Sequence, residues 1–223
     1  KAATVIEGFP GFGLVSTIAT GFLIDHLNCE QIGRYWFENA QPTLAVHGCR
    51  IVDPIGVYYN KKYNLVILHV LASVNGVEWK MSQKIDELSK ILSAKEIICI
   101  EGVGSSSGQT NAYFISEKNA KKIESKTKIG RLKEGIIMGV TGSLILNKKL
   151  PVSCILAETV SSLPDSRAAS KIIEVLDDYL GLKIDPKPLL KKAAEFENKV
   201  KDLIRQGQVA SNQKQKKELS YLG

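Results

Sequence analysis

The sequence predicts an α/β fold with a mainly parallel sheet flanked by helices. Short apolar runs such as 65–71 and 96–100 have no alternating polar face, which is the pattern of strands covered on both sides. Segments with apolar residues at helical spacing separate these runs along the chain. Buried strands that alternate with helices are typical of a parallel sheet with helices on its faces.

The elements of the first half follow this alternation. A short β-branched strand at 4–6 leads into a glycine-rich turn at 8–13 and a helix over 14–27. Strands are predicted at 31–37, 43–47, 55–59 and 65–71, and an amphipathic helix at 77–92. The helix assignments rest on apolar residues that recur every three or four positions.

The second half continues the pattern with more short strands. A buried strand at 96–100 precedes a Gly/Ser-rich loop at 102–108. Strands are predicted at 113–115, 129–132, 136–140 and 152–157, with a short helix or turn at 144–147. The last helix of the core is predicted over 165–180, with Asp165 as its N-cap and Gly181 as its C-cap.

The composition changes after the sequence Asp185-Pro186-Lys187-Pro188. We therefore divide the 223 residues into an α/β core domain at 1–182, a C-terminal helix at 185–206 and a flexible basic tail at 207–223. The predicted C-terminal helix has one apolar stripe, which has to pack on the core or on a neighbouring subunit. The tail is polar and has no such stripe.

Charge and cysteine content limit the possible classes of protein. The net charge of +7 permits contact with nucleic acid or with an acidic protein surface. Four cysteines occur without metal-ligand spacing, and Cys99 and Cys154 lie in apolar runs, which predicts reduced core thiols. With no signal segment and no apolar run of bilayer length, we expect a cytoplasmic protein that does not enter the membrane.

Two glycine-rich segments are candidate anion sites. The turn at 8–13 and the loop at 102–111 offer backbone N–H groups that could cradle a phosphate or carboxylate. Neither matches a dinucleotide fingerprint or a P-loop. The alternative interpretation is that the segment at 8–13 is a tight turn that packs its helix on the sheet, and that the segment at 102–111 is an ordinary surface loop.

Three glutamates end predicted buried strands. Glu7, Glu101 and Glu158 would meet at the carboxyl edge of a parallel sheet, where ligands usually bind. They could hold a cation or exchange protons, as in a small-molecule hydrolase or transferase, or each could accept hydrogen bonds from loop N–H groups. No nucleophile motif accompanies them, and His26, His47 and His69 are isolated. We expect no catalytic residue, no metal and no cofactor.

Several motifs together resemble a known family. They are Glu7-Gly8-Phe9-Pro10-Gly11-Phe12-Gly13, Thr141-Gly142-Ser143-Leu144-Ile145-Leu146, Ile155-Leu156-Ala157-Glu158-Thr159, and Pro164-Asp165 followed by Ala168-Ala169. In order and spacing they resemble the archaeal form of the proteasome assembly chaperone family, over nearly the whole chain. The family-motif residues are Glu7, Gly8, Pro10, Gly11, Gly13, Gly142, Glu158, Pro164 and Asp165.

The resemblance implies a fold, a function and partners. It implies a nucleoside-phosphorylase-like α/β fold without established catalysis. It also implies homo-oligomers that assemble or activate the proteasome, with the α subunits of the core particle as partners. In some members a tail that ends in a hydrophobic residue, Tyr and any residue inserts between α-ring subunits.

The C-terminal arm carries the corresponding candidate contacts. On this resemblance, the partner-binding residues are Leu219, Tyr221, Leu222 and Gly223. The segment departs from the family pattern, because Ser220 precedes Tyr221 and two residues follow it. Basic residues outnumber acidic ones in the arm, which favours encounter with an acidic surface. Nucleic-acid binding has only this charge in its favour, because basic and aromatic residues are not interleaved, and we do not expect it.

Overall fold

The structure is a computed structural model of the whole chain. It describes residues 2–38, 42–47, 49–105, 109–147, 149–159, 162–184 and 190–191. The predicted tail at 207–223, with Leu219, Tyr221, Leu222 and Gly223, lies outside the described residues. Of the predicted C-terminal helix at 185–206, only 190 and 191 are described, and both are helical.

Eight strands form one mixed sheet around a parallel centre. The described residues contain ten strands in all: β1 (Thr4–Gly8), β2 (Glu30–Arg34), β3 (Ala45–His47), β4 (Arg50–Val52), β5 (Ile55–Asn60), β6 (Leu65–Val70), β7 (Glu96–Gly104), β8 (Ala112–Ser116), β9 (Gly130–Arg131) and β10 (Val152–Thr159). The order in the sheet is β2-β5-β6-β1-β7-β10-β8-β9, and β3 and β4 form a separate hairpin. The central strands β6, β1, β7 and β10 are mutually parallel.

Helices cover both faces of this sheet. They are α1 (Val15–His26), α2 (Glu78–Ile91), α3 (Ala120–Lys126), α4 (Gly139–Asn147) and α5 (Ser166–Leu180). One core cluster joins α1, α3 and α5 to one face, and the other joins α2 and α4 to the opposite face. All six residues of β6 are buried, as expected of a strand covered on both sides. The predicted fold class, a mainly parallel α/β sheet flanked by helices, is confirmed.

The predicted caps of the last core helix are also confirmed. The Asp165 carboxylate accepts hydrogen bonds from the backbone N–H groups of Arg167 and Ala168, both at 3.0 Å. Gly181 follows the helix with φ of 68°, a left-handed conformation that favours glycine. These two residues fix where α5 begins and ends.

Other local predictions are wrong or incomplete. The strand predicted at 136–140 is absent: residues 136–138 form an irregular segment, and α4 begins at Gly139. β7 continues to Gly104, into the segment predicted as a loop. The sequence patterns did not predict β4 or α3.

Candidate functional site

A buried and a partly buried carboxyl group contact one hydroxyl at the carboxyl edge of the sheet. Glu7 in β1 pairs in register with Cys99 in β7, so Glu101 lies two residues further on the same face. α4 packs over this face and places Thr141 between the two acids. Thr141 Oγ1 lies 3.0 Å from Glu7 Oε1 and 2.6 Å from Glu101 Oε1.

This arrangement favours a proton on one of the acids. The Thr141 hydroxyl has a single hydrogen and can donate it to only one carboxyl. The second contact is a hydrogen bond only if the other carboxyl is protonated and donates to Thr141 Oγ1. Burial, followed by the nearby charge of Glu101, raises the pKa of Glu7 to about 8. Burial also raises the pKa of Glu101 to about 7, so the pair keeps a proton near neutral pH.

The second oxygen of Glu7 is poorly satisfied. Glu7 is completely buried, and its Oε2 has no hydrogen-bond partner among the described residues. The thiol of Cys99 is a weak donor that interacts with the Glu7 carboxyl, and its own pKa is raised by burial and by the Glu7 charge. Cys99 and Cys154 are both fully buried, which confirms the prediction that they are core thiols.

A cleft of about 560 Å³ opens beside the acid pair. It lies at the carboxyl edge of the central strands, where open α/β sheets usually bind ligands. Glu101 is one of its lining residues, and most of the others are apolar or glycine. The described lining residues are Phe9, Pro10, Gly11, Phe12, Ser73, Val74, Asn75, Glu78, Glu101, Gly102, Val103, Ile136, Ile137, Met138, Gly139, Val140 and Leu156.

The glycine-rich turn at 8–13 packs closely on the sheet and on α1. A Cβ atom on Gly8 would lie 2.7 Å from Thr20 Cγ2, and one on Gly102 would lie 2.0 Å from the Phe12 carbonyl oxygen. Residues 9–12 of the turn line the cleft, and Gly11 faces the Glu101 carboxyl. The packing interpretation of this turn therefore holds, and the anion cradle has no support.

Glu158 does not join the other two acids. The side-chain and backbone N–H groups of Asn111 donate to Glu158 Oε2 at 2.8 and 3.2 Å, and the Tyr113 hydroxyl donates to Oε1 at 3.3 Å. In register, Glu101 pairs with Leu156, so Glu158 lies two residues further toward the strand end. Of the two alternatives, convergence of the three carboxyls and hydrogen bonding to loop N–H groups, Glu158 follows the second, because the parallel register places it beyond the other two acids.

The first and last family motifs meet in space. Gly13, with φ of 66°, packs against Thr159, where a side chain would collide with the threonine hydroxyl. The Asp165 backbone N–H donates to the Gly13 carbonyl at 2.9 Å. The Thr159 hydroxyl donates to Asp165 Oδ2 at 2.7 Å. These contacts tie the turn before α1 to the start of α5.

Of the predicted isolated histidines, His69 has the best-defined role. It is buried in β6, and its Nδ1 lies 2.8 Å from the Thr20 hydroxyl of α1. Burial lowers the pKa of His69 to about 4, so the ring is neutral at physiological pH. It joins α1 to the sheet and does not line the cleft.

Sequence patterns alone did not identify Thr141 or Glu78 as site residues. Thr141 lies in a recognised motif, but only the placement of α4 brings its hydroxyl to the acids.

Within the described ranges, no group of three His, Cys, Asp or Glu side chains could hold a metal ion. The described helices include none with the length and apolar content needed to span a bilayer.

Fold and cleft together define an open-sheet α/β protein with an acid-containing site at the carboxyl edge of its central strands. The chain belongs to the PAC2 family, whose model matches residues 5–204. It is 27% identical over 209 residues to an uncharacterised protein of Methanocaldococcus jannaschii, covering 91% of this chain and 85% of that protein.

Solved structures share the fold over nearly the whole chain. Pyrococcus furiosus PbaA, described as an archaeal homologue of proteasome-assembly chaperone, is 29% identical with a TM-score of 0.81, covering 95% of this chain and 96% of that one. A Thermoplasma acidophilum protein of unknown function has a TM-score of 0.85 at 19% identity, covering 96% and 90%. P. furiosus PbaB, described as an archaeal proteasome activator, has a TM-score of 0.75 at 20% identity, covering 90% and 93%.

Proposed function

We propose that this protein is a cytoplasmic proteasome assembly chaperone or activator that binds the α-ring of the core particle. The observation that carries the proposal is the match to the PAC2 family together with the full-length similarity to PbaA. The role is binding rather than catalysis, and it requires no cofactor. The α subunits of the core particle are the partners.

An exposed apolar surface supports association with other subunits. Val46 and Ile51 are register partners in the β3–β4 hairpin, yet they are 59% and 73% exposed. Trp36, which is 70% exposed, and Leu44 line an adjoining cleft of about 420 Å³. Exposed apolar patches on soluble proteins often mark interaction sites. We assign this surface, the hairpin patch, to contacts between copies of the chain in a homo-oligomer.

The C-terminal segment is the proposed contact with the α-ring. Leu219, Tyr221, Leu222 and Gly223 would insert between neighbouring α subunits, with the aromatic ring as the anchor. One buried aromatic anchor contributes about 2 kcal/mol. A single tail therefore binds weakly, and several tails on one oligomer would gain about 100-fold or more in avidity.

The test is capture of recombinant α-rings by the full-length protein and by a variant that lacks 219–223. We expect the deletion and Tyr221→Ala to reduce capture about ten-fold or more, with unchanged thermal unfolding. Ser220→Ala is the matched control and should capture normally. Unchanged capture by the deletion variant would refute the tail contact. No capture by the full-length protein would refute the proposed function.

A hydrolase or transferase has less support. The hypothesis required Glu7, Glu101 and Glu158 in one deep pocket, and Glu158 is bound to Asn111 outside the cleft lining. Among the described lining residues there is no histidine or cysteine to form or activate a nucleophile.

A further inference from the structure

The cleft beside the acid pair differs in charge from the rest of the chain. The chain has a net charge of +7, yet the described lining residues include two carboxyl groups, Glu78 and Glu101, and no lysine, arginine or histidine. Carboxyl groups with low-dielectric walls favour a ligand of opposite charge. A docking tail does not require this cleft, so the observation is independent of the proposed function.

One oxygen of Glu101 remains available to a ligand. Its Oε1 contacts Thr141, whereas its Oε2 faces Gly11. A Cβ atom on Gly11 would stand 3.1 Å from Glu101 Oε2, so the missing side chain leaves the space in front of this oxygen free. Gly11 has φ of −142°, an extended conformation open to any residue, and glycine is therefore not needed there for backbone reasons.

The walls of the cleft suit the apolar part of a ligand. Phe9, Phe12, Val74 and Leu156 line it together with Met138. Its volume of about 560 Å³ lies in the usual range for small-molecule sites. The N-termini of α2 and α4 also reach the cleft, but each supplies only about half a positive charge, and Glu78 lies in the first turn of α2.

Glu7 lies behind this site and is not one of the described residues that line the cleft. A fully buried carboxyl oxygen without a hydrogen-bond donor is rare in native proteins. Glu7 is connected to the cleft through Thr141 and Glu101. A cation at Glu101 would draw negative charge onto this pair and stabilise its ionised form.

We propose that this cleft binds a small organic cation, an ammonium or amidinium group on an apolar body, with Glu101 as its main hydrogen-bond acceptor. Glu78 adds negative charge at the cleft wall. Charge-assisted hydrogen bonds to the carboxylate orient the cation, while the apolar body packs on the phenylalanines.

The test uses three probes of one shape that differ in charge. Benzylamine, benzyl alcohol and benzoate are titrated into the full-length protein and followed by calorimetry and by NMR shifts of cleft residues. We expect benzylamine to bind at least ten-fold more tightly than benzyl alcohol, and benzoate not to bind. Equal binding of the amine and the alcohol, or preferred binding of benzoate, would overturn the proposal; the second result would indicate an anion site at the helix N-termini.

Three variants locate the site. Glu101→Gln removes the charge, and Gly11→Ala fills the space in front of Glu101 Oε2 without changing any charge. Each should weaken benzylamine binding about ten-fold. Glu158→Gln, which removes the same charge from the neighbouring strand outside the cleft lining, is the matched control and should bind normally. Normal binding by both Glu101→Gln and Gly11→Ala would refute the assignment.

Discussion

The Thr141 hydroxyl forms a polar contact between α4 and the sheet. Thr141 contacts the carboxyl groups of Glu7 and Glu101, and these acids come from two different strands. The contact pattern favours a proton on one of the two acids, because threonine has one hydrogen to donate. At the scale of residues, the protonation of this pair is therefore part of the folded structure.

The acid pair should make stability depend on pH. The pKa of Glu7 is raised from 4.5 to about 8 on folding, so in this interval the folded state holds a proton that the unfolded state releases. The free energy of unfolding therefore falls as pH rises from 4.5 to about 8. We expect Glu7→Gln to reduce this fall by roughly 5 kcal/mol, measured by urea unfolding across the interval.

Other titratable groups also affect how stability depends on pH, and one variant serves as the control. Glu101 and the thiols of Cys99 and Cys154 interact electrostatically with Glu7, and they stay in place in the variant. His69 acts in the opposite sense. Burial lowers its pKa from 6.5 to about 4, so its contribution to the free energy of unfolding is lost as pH falls from 6.5 to about 4. Glu158→Gln should show the wild-type pH dependence. An unchanged slope in Glu7→Gln would contradict the buried shared proton.

The sequence predicts where Glu7 and Glu101 lie on their strands, but it does not predict that both contact Thr141. Glu7 and Glu101 end buried strands, and this is visible from the apolar runs before them. That Glu158 lies further along the strand depends on the register of β10 against β7, which no local pattern encodes. Thr141 reaches the site only through the packing of α4, so its role could not be predicted from the residues around it.

At the scale of elements, the turn between β1 and α1 is held in place by the close approach of its backbone to β7 and to the start of α5. The Phe12 carbonyl lies directly over Gly102 in β7, and the Gly13 carbonyl accepts the Asp165 N–H at the start of α5. The turn therefore holds the cleft wall, a central strand and two helices in one arrangement. Glycine is required at 102 because no side chain fits.

Replacing Gly102 tests this arrangement. In Gly102→Ala the new Cβ would collide with backbone, at 2.0 Å from the Phe12 oxygen, and the turn has to move. We expect a loss of about 2–3 kcal/mol in the free energy of unfolding, measured by denaturant titration. Gly130→Ala in β9 is the matched control, because nothing lies within 4 Å of its Cβ position. Equal stability of the two variants would show that the turn yields without cost.

The elements also show where sequence patterns fail. The strand predicted at 136–140 rested on β-branched residues, but Ile136 and Met138 are 87% and 77% exposed, and α4 begins at Gly139. α4 contains two glycines and is still helical because it packs against α2 and β10. α3 buries only Ala120 and Ile123, too few apolar residues to form a detectable stripe.

At the scale of the whole molecule, the hairpin patch and the acid-containing cleft are two distinct surfaces. The hairpin patch exposes Trp36, Val46 and Ile51 at the β2 side of the sheet, whereas the mostly apolar cleft has two carboxyl groups in its lining and the chain as a whole is basic. Such a division suits a protein with more than one contact surface. It agrees with the proposed self-association through one surface and docking through another.

The self-association can be tested by charging the hairpin patch. Ile51→Lys places a charge in the patch, and we expect it to weaken self-association about ten-fold in sedimentation equilibrium. Ile91→Lys, at an 80% exposed position on α2, is the matched control and should leave the assembly unchanged. The assignment fails if Ile51→Lys assembles like the wild type, or if the wild type is monomeric at all concentrations.

The shared proton of Glu7 and Glu101 has one more consequence. If a cation settles at Glu101, the field it creates favours loss of that proton to the solvent, so binding and deprotonation become one coupled event. The buffer then takes up the released proton, and its ionisation enthalpy adds to the heat that the calorimeter records. Titrations in phosphate and in Tris, whose ionisation enthalpies differ, would report the number of protons that leave, and Glu7→Gln should reduce it.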